Sequence, residues 1–418
     1  MDINESYSDC MYNFIDTICK KFGPRYSCTK EETDSNKWIK KELDKYCDET
    51  VLDEFETYPG LYPQGLIKVA GILSGISILF MPLMFPFPIF SLVFILLGLL
   101  ILYSELVLMK EWIKFLFKKG ISSNTYGIIK PSGSVKSRII FEGHTDSAKQ
   151  MKIATYEKKP PVYRIVLGVY FLFHTITFSV LKFILQLIYG SSIILLRWWI
   201  FSITILDLFY FIPLIVIFPL FIWVIRGFSG NTVVLGANDN LAGSAVAVAI
   251  GKYLSIHRPK NVEVWVGSMG SEEVGDKGAK AFVEKYGKLG ILDGSHVIVL
   301  EQCGDADEMM ILEKDMHKAN YSEEINELLL KAHEEIRKER PGILPLKKGR
   351  LIIGSCDACR YIHEGYKAAA LMGTEKGRRK APNWHSIEDT PENIDKKVLE
   401  DFLAVCLKTI ELIDNQFD

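Results

Sequence analysis

Histidine and carboxylate side chains follow several apolar runs of this sequence, and these residue types bind metal ions and transfer protons. The run Arg138–Glu142 is followed by Gly143-His144-Thr145-Asp146. Strand alternation puts His144 and Asp146 on the same face. A carboxylate at this spacing can orient a metal-binding imidazole and raise its basicity. His144 is therefore a candidate metal ligand supported by Asp146, although such a triplet also occurs incidentally.

A single acidic residue, Asp239, lies between Val233–Leu235, predicted to be a strand, and an Ala/Val-rich helix predicted over Ser244–Tyr253. Acidic and amide residues at such a turn often only cap the helix. The small Gly and Ala residues on either side would, however, let a metal approach Asp239 closely. Because one carboxylate can bridge two cations, Asp239 is a candidate bridging ligand.

Two adjacent carboxylates, Glu272 and Glu273, follow the predicted strand Val262–Gly267. Adjacent carboxylates repel each other and are usually solvated charges at a helix start. In a metalloenzyme the same pair can divide the work, since one carboxylate binds metal while the other takes the proton of a metal-activated water.

The last two motifs are Glu301, which ends the predicted strand His296–Glu301, and His385, in a loop before the helix predicted over Lys396–Asp414. In alternating α/β chains, sites gather at the carboxyl ends of strands. Two histidines, three carboxylates and one spare glutamate suit two borderline divalent cations with an open water position.

The elements around these motifs divide into apolar and charged parts. The 418 residues are 49% hydrophobic, and the apolar excess lies in two tracts between about Leu66 and Arg226. The formal net charge of −2 offers no basic surplus for nucleic acid, so that class is excluded. Met1–Lys21 lacks the apolar core of a secretory signal, so we expect a mature N-terminus.

The eight cysteines fit neither a disulfide scaffold nor a four-cysteine zinc site. Cys356 and Cys359 have the two-residue gap of a redox or zinc pair, but no second pair accompanies them. We expect ordinary buried thiols.

The apolar tracts predict transmembrane hairpins. The first, about Leu66–Met109, is broken by Pro82, Pro86 and Pro88 and fits two spans. The second, about Arg164–Ile225, also fits two, with part of residues 182–204 re-entrant or interfacial around Arg197, Trp198 and Trp199. The chemical motifs lie before, between and after the tracts, so each tract must cross an even number of times.

Basic residues on the flanks of the tracts predict the orientation, because cations favour the cytoplasmic side. These residues are Lys68, Lys110, Lys114, Lys118, Lys119, Lys158, Lys159, Arg164 and Arg226. The proline-rich hairpin has none, so we expect four spans with the catalytic domain in the cytoplasm.

Taken together, the motifs resemble those of the co-catalytic di-zinc aminopeptidase family, which includes secreted bacterial leucyl aminopeptidases, glutamate carboxypeptidase and glutaminyl cyclases. The resemblance covers nearly everything outside the apolar tracts. Phe22–Ser27 resembles the family's N-terminal helix entry, and Asp357, Tyr361 and Gly365 have the spacing of a late family segment. Lys367 stands where a proline is usual.

The resemblance implies a role for each residue. His144 and Glu301 would bind one metal, Glu273 and His385 the other, and Asp239 would bridge them. Glu272 would be the general base, Asp146 would orient His144, and Asp389 would lie near His385. The family more often has Asp at the position of Glu301, so Asp305 and Asp307 remain alternative ligands.

The implied fold is α/β, a mixed central sheet flanked by helices as in zinc exopeptidases, interrupted by two transmembrane helical insertions. The predicted segments are 1–62, the N-terminal part of the peptidase domain; 63–112, the first transmembrane hairpin; 113–162, with the His-x-Asp motif; 163–227, the second insertion; and 228–418, the main part.

The implied function is a membrane-bound metallo-exopeptidase, an aminopeptidase that hydrolyses N-terminal peptide bonds with a metal-activated water. Its cofactors would be two divalent metal ions, zinc by default. Its partners would be a peptide substrate and the lipid bilayer, and the sequence leaves a homo-oligomer open. Three alternatives are a glutaminyl-cyclase-like acyl transferase, which typically uses one zinc; a catalytically inactive scaffold; and a transporter, disfavoured because we expect no paired intramembrane charges suited to a substrate path in the apolar tracts.

Overall fold

The chain folds into two compact units. The computed structural model describes residues 5–151, 162–228, 230–352, 354–378 and 381–417. One unit, the α/β unit, comprises residues 1–59, 118–150 and 231–418, and the other, the helical unit, comprises 60–117 and 151–230. The predicted segment 113–162 includes residues 152–161, which lie outside the described part and contain Lys158 and Lys159.

The α/β unit contains a sheet and flanking helices in alternating order. Its elements are α1 (Glu5–Phe22), α2 (Lys30–Leu43), β1 (Glu49–Thr57), β2 (Gly120–Ile129), β3 (Ser137–His144), α7 (Ala242–Leu254), β6 (Val262–Met269), α8 (Lys277–Tyr286), β7 (His296–Glu301), β8 (Glu308–Lys314), α9 (Glu323–Glu339), β9 (Leu346–Arg350), α10 (Ala358–His363), β10 (Ala368–Thr374) and α11 (Lys396–Asp414).

The sheet is mixed and eight-stranded, in the order β1-β2-β6-β3-β7-β10-β8-β9. Strands β6, β3, β7 and β10 run parallel at its centre, and β2 and β8 pair with this block in antiparallel fashion. Helices α1, α7 and α11 pack together, with α7 against β3 and β6. Parallel strands covered in this way are buried on both faces, as most residues of β3 and β7 are. The predicted mixed sheet flanked by helices is confirmed.

The predicted strand at Val233–Leu235 is wrong. This segment makes one isolated bridge, between Lys149 and Val233. Two backbone hydrogen bonds join it and the preceding residue to residues 148–150: Gln150 N donates to Thr232 O over 2.7 Å, and Val234 N donates to Ala148 O over 2.9 Å. The β-branched residues therefore find only a short partner segment, too short to form a strand, and Asp239 follows a loop.

The helical unit consists of two helical hairpins and a small β-hairpin. Its elements are α3 (Gln64–Phe80), α4 (Pro88–Leu106), α5 (Val162–Tyr189), β4 (Ile194–Trp198), β5 (Phe201–Thr204) and α6 (Ile205–Phe228). The break at the predicted prolines is confirmed. Among the described residues, Pro88–Leu106 and Val166–Ile193 are long and apolar enough to cross a membrane, and Gln64–Phe80 and Ile205–Leu220 are shorter apolar helices.

The α3–α4 turn and the β-hairpin lie at the same end of the helical unit. Leu83 bridges to Phe201, and Met84 N donates to Ile200 O over 2.9 Å. The β-hairpin therefore covers the end at which α3 and α5 finish and α4 and α6 begin.

A buried ion pair holds this end together. Lys182 Nζ lies 2.8 Å from Asp207 Oδ1 and also donates to the carbonyl oxygens of Met81, 2.7 Å, and Ser202, 2.9 Å. Asp207 Oδ2 accepts from the backbone N–H and the hydroxyl of Thr204. The expectation that the apolar tracts lack paired charges is therefore wrong. Lys182 and Asp207 lie 25 positions apart in sequence, so no i, i+4 spacing indicated that they pair. They meet only because α5 and α6 pack against each other.

Backbone pairing within the α/β unit closes the base of each insertion. Thr57 and Gly120, which flank the first insertion, are paired at the ends of β1 and β2. Gln150 and Thr232, which flank the second, share a hydrogen bond. Each insertion is therefore a closed loop of the α/β unit, which explains how the sheet tolerates it.

Two glycines permit the close approach of β3 and β7 to the start of α7. A Cβ on Gly143 would lie 2.4 Å from Ser244 N and 2.6 Å from Gly243 C, and a Cβ on Gly243 would lie 2.3 Å from Leu300 O. These neighbours are backbone atoms that cannot rotate away. The contact sets the distance between the end of β3 and the Asp239 loop.

Gly143→Ala is expected to lower the free energy of unfolding by about 3 kcal/mol or more, because overpacking against backbone forces β3 and α7 apart. Denaturant unfolding of the α/β unit, followed by circular dichroism, measures the change. Gly342→Ala is the control, since its Cβ would meet only the flexible Lys397 Nζ at 3.7 Å. Equal stability of the two variants would contradict this packing.

Candidate metal centre

Three neighbouring parallel strands end at the same edge of the sheet and carry most of the candidate residues there. His144 is the last residue of β3, Glu301 is the last residue of β7, and Glu272 and Glu273 follow β6 by a short turn. Parallel strands place their carboxyl ends together, so these side chains converge. Asp239 and His385 join them from loops.

His144 faces three carboxylates. Its Nε2 lies 3.6 Å from Asp239 Oδ1, 3.6 Å from Glu272 Oε2 and 3.9 Å from Glu301 Oε2. The imidazole is buried. This group of ligand atoms forms one half of the site.

His385 faces the other half. Its Nε2 lies 3.2 Å from Asp239 Oδ2 and 3.1 Å from Glu273 Oε2. Asp239 thus presents one oxygen to His144 and the other to His385. The structure brings together all six residues that the sequence singled out as ligands and base.

The residues present fit a pair of cations. Among the described side chains, Glu273 Oε1 and Glu301 Oε1 are buried without a hydrogen-bond donor. Burying such oxygens is costly unless a donor or a cation compensates them. Imidazole and carboxylate donors suit zinc and similar ions. Asp307, an alternative to Glu301, instead accepts a hydrogen bond from the backbone N–H of Lys376, 2.9 Å.

The electrostatics are those of crowded anions out of water. Burial and neighbouring Glu273 raise the pKa of Glu272 well above its ordinary value, although His144 opposes the shift. Burial also raises the pKa of Glu301. For His385, burial lowers the pKa, but Glu273 and Asp239 outweigh it and raise the value to about 10. The carboxylates thus favour positive charge at this site.

Two buried aspartates hold the loops that carry the candidate ligands. Asp146 accepts hydrogen bonds from the backbone N–H groups of Glu272, 2.9 Å, and Glu273, 3.1 Å. Its carbonyl oxygen lies 3.1 Å from His144 Nδ1, and its carboxylate oxygen lies 3.5 Å away. Asp146 therefore supports the imidazole and the glutamate pair at once.

Asp389 does the same for the second loop. It accepts from the backbone N–H groups of Asn238, 2.6 Å, and Asp239, 3.1 Å. The resemblance implies that Asp389 lies near His385, and the hydrogen bonds of its carboxylate are with the Asp239 loop.

Backbone strain is concentrated in these loops. Ser271, Gln302 and His385 all have positive φ, at 58°, 55° and 53°. Non-glycine residues in this region cost free energy and persist where the surroundings impose them. The peptide bond between Asp239 and Asn240 is cis.

Sequence reasoning missed several supporting side chains. Arg25, fully buried, donates to the carbonyl oxygens of Gly23, Thr145 and Gly236 and so links the loops of His144 and Asp239. Glu32 accepts from Ser271 N, 2.9 Å, and Cys28 N, 2.6 Å. Glu32 lies in a run of charged residues, Lys30–Glu32, and nothing in that pattern separates it from its exposed neighbours.

The fold is that of the zinc exopeptidases. The structure is similar to glutaminyl cyclase from Bacteroides thetaiotaomicron, with a TM-score of 0.55, 13% identity and coverage of 98% of this chain and 99% of that one. It is similar to the zinc aminopeptidase BSAP from Bacillus subtilis, with a TM-score of 0.54, 14% identity and coverage of 97% and 95%. It is also similar to a Zn-dependent exopeptidase from Parabacteroides distasonis, with a TM-score of 0.54, 12% identity and coverage of 98% of each chain.

At the level of sequence, the model of Peptidase family M28 matches residues 224–410. That range includes Asp239, Glu272, Glu273, Glu301 and His385, whereas His144 lies before it. Comparison with curated proteins gave no match. The match is to a peptidase family and covers less than half of the chain.

Asp146→Asn is expected to destabilise the α/β unit by about 2 kcal/mol, because the amide turns an N–H donor toward one of the two backbone donors. Urea unfolding measures the loss. Asp395→Asn is the matched control, since Asp395 caps α11 with one oxygen, a role that asparagine fills equally well. If both variants unfold at the same urea concentration, Asp146 does not hold the Glu272–Glu273 loop.

Proposed function

We propose that this protein is a zinc-dependent aminopeptidase with two metal ions and that its helical unit lies in a lipid bilayer. The observation that carries the peptidase proposal is the convergence of His144, Asp239, Glu273, Glu301 and His385, in which one oxygen of Glu273 and one of Glu301 are buried without a hydrogen-bond donor. His144, Glu301 and Asp239 would hold one cation, and His385, Glu273 and Asp239 the other. When bound, the two cations would supply Lewis acidity for the carbonyl of the scissile bond and lower the pKa of a water.

Glu272 has the position of a general base. Its Oε2 lies 3.6 Å from His144 Nε2, and its backbone is fixed by Asp146. In the proposed reaction Glu272 takes a proton from the attacking water and returns it to the leaving amine, so one carboxylate serves both steps. Glu273, held by the same aspartate, stays turned toward His385.

An acyl-transfer reaction like that of glutaminyl cyclase is the second candidate, because one such enzyme has the same fold. The two reactions differ in what becomes of the substrate amine. A peptide beginning with glutamine would lose ammonia and keep its length in the cyclase reaction, whereas an aminopeptidase would shorten it. An inactive scaffold would do neither, and the presence of Glu272 among the ligands disfavours it.

Glu272→Gln is expected to lower kcat about 10²- to 10⁴-fold, because glutamine cannot accept the proton. Aminoacyl reporters and a glutamine-initiated peptide, read by mass spectrometry, measure the rate and the product. Metal per chain should stay unchanged in this variant, whereas His385→Ala should lose metal together with activity. Undiminished cleavage by the Gln variant would exclude Glu272 as the base.

The membrane proposal rests on the outer surface of the helical unit. Only 33% of the apolar window of Pro88–Leu106 and 28% of that of Val166–Ile193 is buried, unlike the core helices of a water-soluble domain. Leu79, Phe173, Leu187 and Ile215 are among the exposed apolar side chains. The polar side chains instead turn inward, as in the hydrogen bonds that link Ser77, Ser91 and Ser179.

We place the β-hairpin at the membrane interface, opposite the ends at which the chain enters the helical unit. An exposed two-stranded edge is not tolerated within hydrocarbon. Trp198 and Trp199 are 72% and 78% exposed at its tip, and indoles favour the interface. Each helix pair then crosses the bilayer twice, and the basic flanks favour a cytoplasmic catalytic unit.

Lipids with brominated acyl chains are expected to quench part of the tryptophan fluorescence in reconstituted vesicles, since the Trp198 and Trp199 indoles would contact lipid. Replacing both residues by Phe should remove much of the quenchable fraction. Trp265→Phe should leave it unchanged, because Trp265 is buried beside Tyr126. An equal quenched fraction in the double variant and the wild type would refute the interfacial placement.

A further inference from the structure

A second group of metal-binding side chain types converges in the α/β unit, apart from the six residues of the candidate centre. It consists of Asp276, His317 and Cys359, whose ligand atoms all lie within 4.8 Å of one another. The three come from separate parts of the chain, the turn before α8, the turn after β8 and helix α10. Their exposed fractions are 2%, 3% and 0%.

The turns that carry this group are fixed before any ion binds. The carboxylate of Asp315 accepts from the backbone N–H groups of His317, 2.9 Å, and Ala319, 3.2 Å. Asp276 has φ of 53°, in the left-handed region, and its backbone N–H donates to Glu272 O over 2.8 Å. The positions of the imidazole and the carboxylate therefore do not depend on flexible loops.

The simplest alternative is a hydrogen bond between a buried thiol and a carboxylate. Cys359 Sγ lies 3.7 Å from Asp276 Oδ2, and Arg360 Nε lies 3.8 Å from the same oxygen. Such a contact uses neither the soft character of sulfur nor the nearby imidazole. Burial and Asp276 raise the pKa of the Cys359 thiol, so an ion would have to displace its proton.

We propose that Asp276, His317 and Cys359 bind a third divalent ion of the zinc type. A thiolate, an imidazole and a carboxylate are a zinc or cobalt donor set, whereas calcium and magnesium prefer oxygen alone. The negative charges of one thiolate and one carboxylate balance a divalent cation. The remaining charged neighbours, Arg360 and Asp315, are opposite in sign to each other. Because all three side chains are buried, the ion is structural. It links the turn that follows Glu273 to the turn after β8 and to helix α10.

Cobalt distinguishes this site from the candidate centre, because a thiolate bound to cobalt(II) gives a charge-transfer absorption in the near ultraviolet. The residues proposed for the candidate centre offer no sulfur. Full-length protein in detergent, stripped of metal and reloaded with cobalt, is therefore expected to show the band. Cys359→Ala should abolish the band and lose one equivalent of metal per chain.

Two control variants remove other buried thiols. Cys303→Ala tests the cysteine nearest Glu301 in sequence, and Cys406→Ala tests a cysteine in the apolar core. Both should keep the band and the metal content. A wild type without the band, or a band that survives in Cys359→Ala, overturns the proposal. The test is independent of peptidase activity, since loss of metal from the candidate centre leaves the band in place.

Discussion

The structure of the α/β unit depends on one electrostatic constraint, the placement of four carboxylates within a few ångströms of each other and out of water. Asp239, Glu272, Glu273 and Glu301 repel one another, and burial raises the pKa of three of them above the ordinary range. Asp239 is the exception, because the imidazoles of His144 and His385 outweigh burial and lower its pKa. Such a cluster is stable only when cations or bound protons compensate the negative charge.

Backbone N–H groups supply the scaffold for that cluster. Asp146 accepts from the amides of Glu272 and Glu273, and Asp389 accepts from the amides of Asn238 and Asp239. Buried Arg25 joins the loops of His144 and Asp239 through the carbonyl oxygens of Thr145 and Gly236. These hydrogen bonds position the side chains of the candidate centre, in loops where Ser271, Gln302 and His385 have positive φ.

The two helical insertions are joined to the rest of the chain by backbone pairing at their bases. Each is closed at its base by pairing within the α/β unit, between Thr57 and Gly120 and between Gln150 and Thr232, so this unit is continuous in space although it is interrupted in sequence. Inside the helical unit, the buried Lys182–Asp207 pair is satisfied by carbonyl, amide and hydroxyl groups. Such a pair adds little net stability but fixes which elements meet.

The sequence by itself determined the elements and the residue types of the site. Apolar runs ending in His144 and Glu301 predicted β3 and β7, and the helix over Lys396–Asp414 was predicted to its terminal residues, because local periodicity encodes burial. Only the tertiary structure decided which supports surround them. Glu32, Arg25 and the partners of Asp389 are distant in sequence, Val233–Leu235 lacks a long strand partner, and Lys182 meets Asp207 only when two helices pack. Contacts between residues that are distant in sequence depend on how the elements pack, and local sequence patterns carry no information about that packing.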